Sequence, residues 1–235
     1  MLRRLIYYFK FLKSLFLINV RLLWGVWKLT KLPQPAVTIF GGSKIKADSK
    51  HAKMATSIAK MLVDAGFSIV TGGGPGIMEA ANRGAIEYIE ECKLGCDDNK
   101  KKMITKRLVS GSVGLINLNK EKVNPYVQRN IFMGHFFTRK WLLVRYSVGF
   151  VVFPGGFGTL DELSEIVTLI QCEHMPRYPI ILMDSKYWAP IIEWIEKKAL
   201  KNGLVSKKDS DLFKIVDRVE EAFEIINKVC KRYKK

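Results

Sequence analysis

Three times this chain runs from an apolar stretch into a glycine turn, and twice the turn opens a clear helical pattern. Ala36 to Phe40 leads into Gly41-Gly42-Ser43, and Ser68-Ile69-Val70-Thr71 leads into Gly72-Gly73-Gly74-Pro75-Gly76. Val148 to Phe153 leads into Pro154-Gly155-Gly156-Phe157-Gly158. Ile77 to about Tyr88 then reads as a helix, with Pro75 suited to its first position because a missing N–H costs nothing there. Leu163, Ile166, Val167 and Ile170 are spaced as one face of another helix. Repeated strand, turn and helix units build a doubly wound α/β sheet, which takes its ligands at the carboxyl ends of the strands. The expectation is a single-domain, Rossmann-like parallel sheet over residues 33–235, preceded by a helical, amphipathic extension over residues 1–32. With 235 residues, 48% of them hydrophobic, the chain can bury one such core.

A glycine turn that opens a helix collects unpaired backbone N–H groups at the positive end of the helix dipole. The turn after Phe153 is therefore a ready site for an anion, most often a phosphate. Two common nucleotide fingerprints are absent. No Gly-x-x-x-x-Gly-Lys-Ser/Thr is present, which argues against a P-loop triphosphatase. The second strand ends at Thr71 and runs straight into Gly72, without the acidic residue that holds a dinucleotide's ribose. A smaller phosphorylated ligand fits better.

Pro154-Gly-Gly-Phe-Gly-Thr-Leu-Asp-Glu162, preceded by Phe136-Phe137-Thr138-Arg139-Lys140, resembles the Lonely Guy family. These are phosphoribohydrolases of nucleoside 5′-monophosphates, once mislabelled lysine decarboxylases. Gly72-Gly-Gly-Pro-Gly-Ile-Met-Glu-Ala-Ala-Asn-Arg-Gly-Ala85 is similar to the matching motif of the longer bacterial members, and the likeness runs from about Arg21 to about Trp194. The resemblance implies Arg139 and Glu162 as catalytic residues. For the substrate it implies Gly155, Gly156, Phe157, Gly158, Thr159, Lys140, Glu121, Gly73, Gly74 and Thr168. It also implies hydrolysis of AMP or an N6-substituted AMP to free base and ribose 5-phosphate, no cofactor, and a homodimer or higher assembly. Two segments depart from the family pattern: Cys92 to Val109, which intervenes before the next strand, and Asn119-Lys120-Glu121, which follows the strand Val113 to Leu118.

The residue types suit that chemistry. Breaking an N-glycosidic bond leaves oxocarbenium-like positive charge on the sugar, which a carboxylate beside it stabilises. A 5′-phosphate held away from the bond supplies binding energy that positions the sugar. Glu162, one turn beyond the glycines, is the candidate carboxylate, and Arg139 offers a planar fork of donors to phosphate or leaving base. Thr159-Leu160-Asp161-Glu162 also reads as a capping box, in which Thr and Glu only satisfy helix-end N–H groups. A carrier that grips a phosphate on the same turns without turnover is the alternative function. A pyridoxal-dependent decarboxylase is a poor fit, because no lysine is marked out to present its amine to that cofactor.

Cys92, Cys96, Cys172 and Cys230 show no repeated Cys-x-x-Cys pair, and His51, His135 and His174 have no ligand spacing. The expectation is reduced thiols, no metal and a cytoplasmic protein. The formal net charge of +17 raises nucleic acid as a partner, but the lysines are spread over helices and the tail Lys231 to Lys235. No nucleic-acid motif accompanies them, and none is expected to bind. The first 32 residues carry Arg3, Arg4, Lys10, Lys13, Arg21, Lys28 and Lys31 and no acidic residue. On a helix all but Arg4 of these fall within an arc of roughly 100°. The longest uncharged run, Ser14 to Val20, is too short to span a bilayer, which takes ~20 residues. Residues 19–32 are expected to pack on the domain, while residues 1–18 are the piece available for peripheral membrane contact.

Overall fold

The computed structural model describes residues 2–95, 109–115 and 123–230. Seven strands form one sheet: β1 (Ala36–Phe40), β2 (Ser68–Thr71), β3 (Ser110–Leu115), β4 (Arg129–Met133), β5 (Ser147–Val152), β6 (Ile180–Met183) and β7 (Phe213–Val216). Their order is β4-β3-β2-β1-β5-β6-β7, and every pairing is parallel. The winding therefore reverses between β1 and β5, which leaves a crevice at their carboxyl ends. This is the expected doubly wound α/β fold.

Parallel strands are covered on both faces, and alternate side chains serve opposite layers. Val37, Ile39, Val151, Ile181 and Met183 point into one core with α2 (Lys50–Asp64), α3 (Ile77–Gly95) and α8 (Val219–Cys230). Ala36, Phe40, Phe150, Val152, Ile180 and Leu182 point into the other. That second layer holds α1 (Leu2–Leu29), α4 (Phe136–Arg145), α5 (Phe157–Gln171) and α6 (Ser185–Trp194). Helix α6 continues as a π-helix over Ile195–Leu200, and a short α7 (Lys207–Ser210) precedes β7.

Some boundaries differ from the sequence reading. The second turn does not place Pro75 at the start of its helix. Gly76 intervenes at φ +69°, and an added Cβ there would lie 2.4 Å from the Gly42 carbonyl oxygen, so the chain turns once more before α3 begins at Ile77. Helix α3 runs on to Gly95 and takes up the first part of the Cys92–Val109 insertion; residues 96–108 lie outside the described residues. Strand β3 starts at Ser110, ahead of the expected Val113, and residues 116–118 are likewise outside. One helix, Leu2 to Leu29, runs across the expected division between residues 18 and 19, and only its C-terminal half packs into the core.

Helices α2 and α3 pass each other at Gly84, where an added Cβ would sit 2.2 Å from the Thr56 carbonyl oxygen. Backbone cannot yield there as a side chain end would. Gly84→Ala should lower stability by about 1–3 kcal/mol, the usual cost of overpacking, despite alanine's better helix propensity. Denaturant unfolding of the variant checks this; an unchanged midpoint would mean that the two helices can separate freely.

Candidate active site

The turns after β1 and β5 are fastened together. The Gly42 N–H donates to the Pro154 carbonyl at 2.9 Å, and the Phe153 N–H to the Phe40 carbonyl at 2.9 Å. Above them opens a cavity of about 450 Å³, lined by Gly41, Gly42, Ser43, Lys44, Met78, Phe136, Arg139, Gly156, Phe157, Gly158, Thr159 and Glu162. Six of the residues expected from the sequence are thus brought to one place: Arg139, Gly156, Phe157, Gly158, Thr159 and Glu162.

The four glycine-turn residues have distinct roles. Gly156 is the N-cap of α5, and Phe157 and Gly158 are its first two residues, whose N–H groups have no intrahelical acceptor. Nothing lies within 4 Å of a Cβ added at Gly156 or Gly158, so their open side faces the cavity. Gly155 is structural. A Cβ there would lie 2.2 Å from Thr159 Oγ1 and 2.9 Å from the Gly42 nitrogen, and the Tyr187 hydroxyl donates to its carbonyl from behind. The capping box does not form: α5 begins at Phe157, and the Thr159 N–H donates to the Gly156 carbonyl.

Glu162 instead faces Arg139. Arg139 Nη2 lies 3.1 Å from Glu162 Oε1, with both side chains only about a tenth exposed (11% and 12%). Arg139 Nε donates to the Val113 carbonyl at 3.1 Å, which fixes the guanidinium plane. Gly72 makes room for it, since a Cβ there would be 2.5 Å from Arg139 Nη2. Burial pushes the Glu162 carboxyl up from 4.5 to about 7; the positive charge and hydrogen bond of Arg139 oppose this but do not overcome it.

The remaining expected residues lie elsewhere. Lys140 does not line the cavity: its ammonium is 3.1 Å from Asp161 and 3.0 Å from Glu165. Burial works against that charge, but the two carboxylates hold its pKa above the usual lysine value. Gly73 and Gly74 give their carbonyls to Asn124 Nδ2, at 3.2 and 3.1 Å, and shape the second turn from inside. Thr168 lies further along α5, donates to the Ser164 carbonyl at 2.8 Å, and borders a separate cleft of about 210 Å³ with Leu160 and Trp194. Glu121 lies outside the described residues.

Sequence reasoning missed Ser43, Lys44, Met78 and Phe136 on the cavity wall. Its signal was present for Ser43 and Lys44, because the first glycine turn was recognised but not carried into the site. It also missed a buried polar network. Asn82 Oδ1 accepts from Thr71 Oγ1 (2.7 Å) and Asn124 Nδ2 (3.1 Å), and Asn82 Nδ2 donates to Ser110 Oγ (2.8 Å). That network ties β2, α3, β3 and the Asn124 segment together beneath the Gly72–Gly76 turn. Among the described residues no group of three or more His, Cys, Asp or Glu side chains is placed to hold a metal ion.

A family model described as "Possible lysine decarboxylase" matches residues 78–226, and one described as "SLOG cluster4 family" matches residues 34–92. The chain belongs to the Lonely Guy family. A probable cytokinin riboside 5′-monophosphate phosphoribohydrolase of Oryza sativa subsp. japonica is 25% identical over 174 residues, 72% of this chain and 62% of the relative. A bifunctional cytokinin biosynthesis protein of Fusarium pseudograminearum is 24% identical over 206 residues, 80% of this chain and 39% of the relative. This Lonely Guy chain thus spans less than two thirds of the length of either relative. In three dimensions it is similar to a molybdenum cofactor binding protein from Rippkaea orientalis, with TM-score 0.54 and 21% identity over 84% of this chain and 98% of that one. At that identity the likeness concerns the fold alone.

The raised Glu162 pKa has a consequence for stability. Below pH 4.5 the carboxyl is protonated in both folded and unfolded chains. Between 4.5 and about 7 the unfolded carboxyl ionises while the buried one keeps its proton, so the contribution to stability is lost as pH rises across that window. Glu162→Gln, which mimics the protonated acid, should therefore gain in melting temperature relative to the parent chain as pH climbs through it. Parallel profiles for the two proteins would show that burial does not hold the proton.

Proposed function

We propose that this Lonely Guy protein hydrolyses the N-glycosidic bond of a nucleoside 5′-monophosphate, AMP or an N6-substituted AMP, releasing free base and ribose 5-phosphate. The observation that carries the reading is the placement of a buried Arg139–Glu162 pair in the same cavity as the open N-terminus of α5. The N–H groups of Phe157 and Gly158 suit a 5′-phosphate. The sugar then lies along the cavity towards Glu162, whose carboxylate stabilises positive charge on the ribose and orients water. Phe136 and Phe157 present ring surface on which a purine can stack. Arg139 holds the carboxylate in place and offers a donor to the departing base.

A carrier needs the phosphate turn but has no use for a buried carboxylate facing the sugar, which is why the hydrolase is preferred. Incubating the purified chain with nucleoside monophosphates and measuring free base separates the two. Tight binding of AMP without base release would favour the carrier. The enzyme is further proposed to work as a homodimer or larger assembly; Phe132, Phe137 and Trp141 on β4 and α4 stay exposed beside the Arg139 helix, as a subunit contact would use them. A sedimentation mass of 26.9 kDa at micromolar concentration would contradict pairing.

Glu162→Gln should lower base release by ~10²-fold or more, the typical loss for one aimed charge, while AMP still binds. In the parent enzyme the rate should rise with pH through about 7 as Glu162 ionises. A flat profile together with normal turnover by the variant would remove Glu162 from the chemistry.

Gly156→Ala and Gly158→Ala put a methyl group into space the protein itself leaves open. Folding stability should hardly change, yet AMP affinity should fall much more than adenosine affinity. Equal losses for nucleotide and nucleoside would mean that this turn does not hold the phosphate.

A further inference from the structure

Helix α1 takes no part in the site, and half of it has little to pack against. Twenty-eight residues make a rod about 42 Å long. Only its C-terminal half is seated: Leu29 is in the core, Leu22 and Val26 pack beside it, and a Cβ added at Gly25 would sit 2.6 Å from Met133 Cε. These body-facing residues share one sector of the helix. Leu5, Phe9, Leu12, Phe16, Leu23 and Trp27 fall in a second sector, roughly 60° wide. All six are exposed, Phe9 by 73% and Leu23 by 71%. Arg3, Lys10, Lys13, Arg21 and Lys28 occupy a third sector, next to the apolar one, on the flank where Arg21 comes up against Gly134 of the body.

That arrangement is the amphipathic pattern of an interfacial helix, with aromatic and aliphatic side chains flanked by cations. A patch of this size on a folded protein marks a binding surface. Charge selects among the occupants. The first acidic residue of the chain is Asp48, so α1 carries only positive charge. Two-fold pairing of α1 with a second copy would bring identical cationic sectors together with no carboxylate on the helix to offset them. An anionic surface complements it. No helix of the described residues is long and apolar enough to cross a membrane, so α1 would lie along the surface.

A second feature points the same way. Between α1 and the N-cap of α4 there is a pocket of about 230 Å³, where Lys10, Lys13, Arg21, His135 and the Ser14 hydroxyl converge. Among the described residues that line it none is acidic. Several cationic donors and a hydroxyl around a small open pocket suit a phosphate group.

We propose that α1 docks on an anionic phospholipid surface, its Phe9 and Phe16 sector entering the acyl boundary while the pocket formed by Lys10, Lys13, Arg21 and His135 receives a lipid phosphate. The reading is independent of base hydrolysis, because none of these residues lines the catalytic cavity.

Co-sedimentation of the full chain with phosphatidylcholine vesicles, with and without phosphatidylserine, tests it. Binding should require phosphatidylserine and weaken as salt is raised. Neutralising three surface cations in K10Q/K13Q/R21Q should weaken it on the order of 100-fold. The milder K10Q/K13Q alters only exposed lysines, keeps the fold, and should cost about 30-fold. F9S/F16S should remove binding while the circular dichroism stays unchanged. Equal binding to both vesicle types, or none to either, overturns the proposal. A chain that ignores vesicles, and whose sedimentation mass F9S/F16S halves, has a second copy on this face instead.

Discussion

The site depends on a pair of hydrogen bonds between the turns that follow β1 and β5. Gly42 N to the Pro154 carbonyl and Phe153 N to the Phe40 carbonyl hold the two turns in register at the place where the sheet reverses its winding. A parallel sheet must send its crossovers to opposite faces on either side of that point, so no helix fills the gap above it. The gap is the cavity. Its floor is backbone because Gly41, Gly42 and Gly156 bring no side chains, and its wall carries the free N–H groups of α5. Tyr187, reaching from α6, fastens the turn from the far side through the Gly155 carbonyl.

Within that frame Arg139 and Glu162 are held in tension. Burial of a carboxylate is costly, and one arginine at 3.1 Å does not restore it to an ordinary acid. A carboxyl balanced near neutral pH is suited to chemistry that creates positive charge beside it, since the developing cation provides the second partner it lacks. The structure invests in keeping the pair aligned: Gly72 is bare so that the guanidinium can approach, and the Val113 carbonyl takes its Nε proton. Lys140, the next residue, is turned away from the cavity and neutralised by Asp161 and Glu165. One residue along a helix is about 100° of rotation, which is enough to separate the roles of two adjacent cations.

The charge of the protein is distributed to match. Asp and Glu begin only at Asp48, while cations crowd the first helix, so the +17 net charge is not an even coating. The candidate-site cavity and the α1 surface lie at different places, with α4 touching both: Phe136 and Arg139 line the cavity, and the His135 cap lines the basic pocket.

Periodicity and glycine placement make the fold legible in the sequence, because a parallel strand buried on both faces needs a largely apolar run and a tight turn that opens a helix favours glycine. Ala36 to Phe40 and Ser68 to Thr71 read at their true boundaries. The same local rules failed where packing overrode them. Pro75 looked like a helix start, but contact with the Gly42 carbonyl demanded one more residue of turn. Thr159 to Glu162 looked like a capping box, yet α5 had already begun at Phe157 and Glu162 was drawn to an arginine 23 residues away in sequence. Three roles were beyond any linear reading: Met78 and Phe136 on the cavity wall, Thr168 in a different cleft, and the Thr71–Asn82–Asn124 network beneath the second turn. Local pattern determined which segments are strands, turns and helices, since each depends on its own neighbours. Only the tertiary structure decided which side chains share a cavity, because that depends on the winding of a sheet in which Phe40 of β1 pairs with Val152 of β5, far away in sequence.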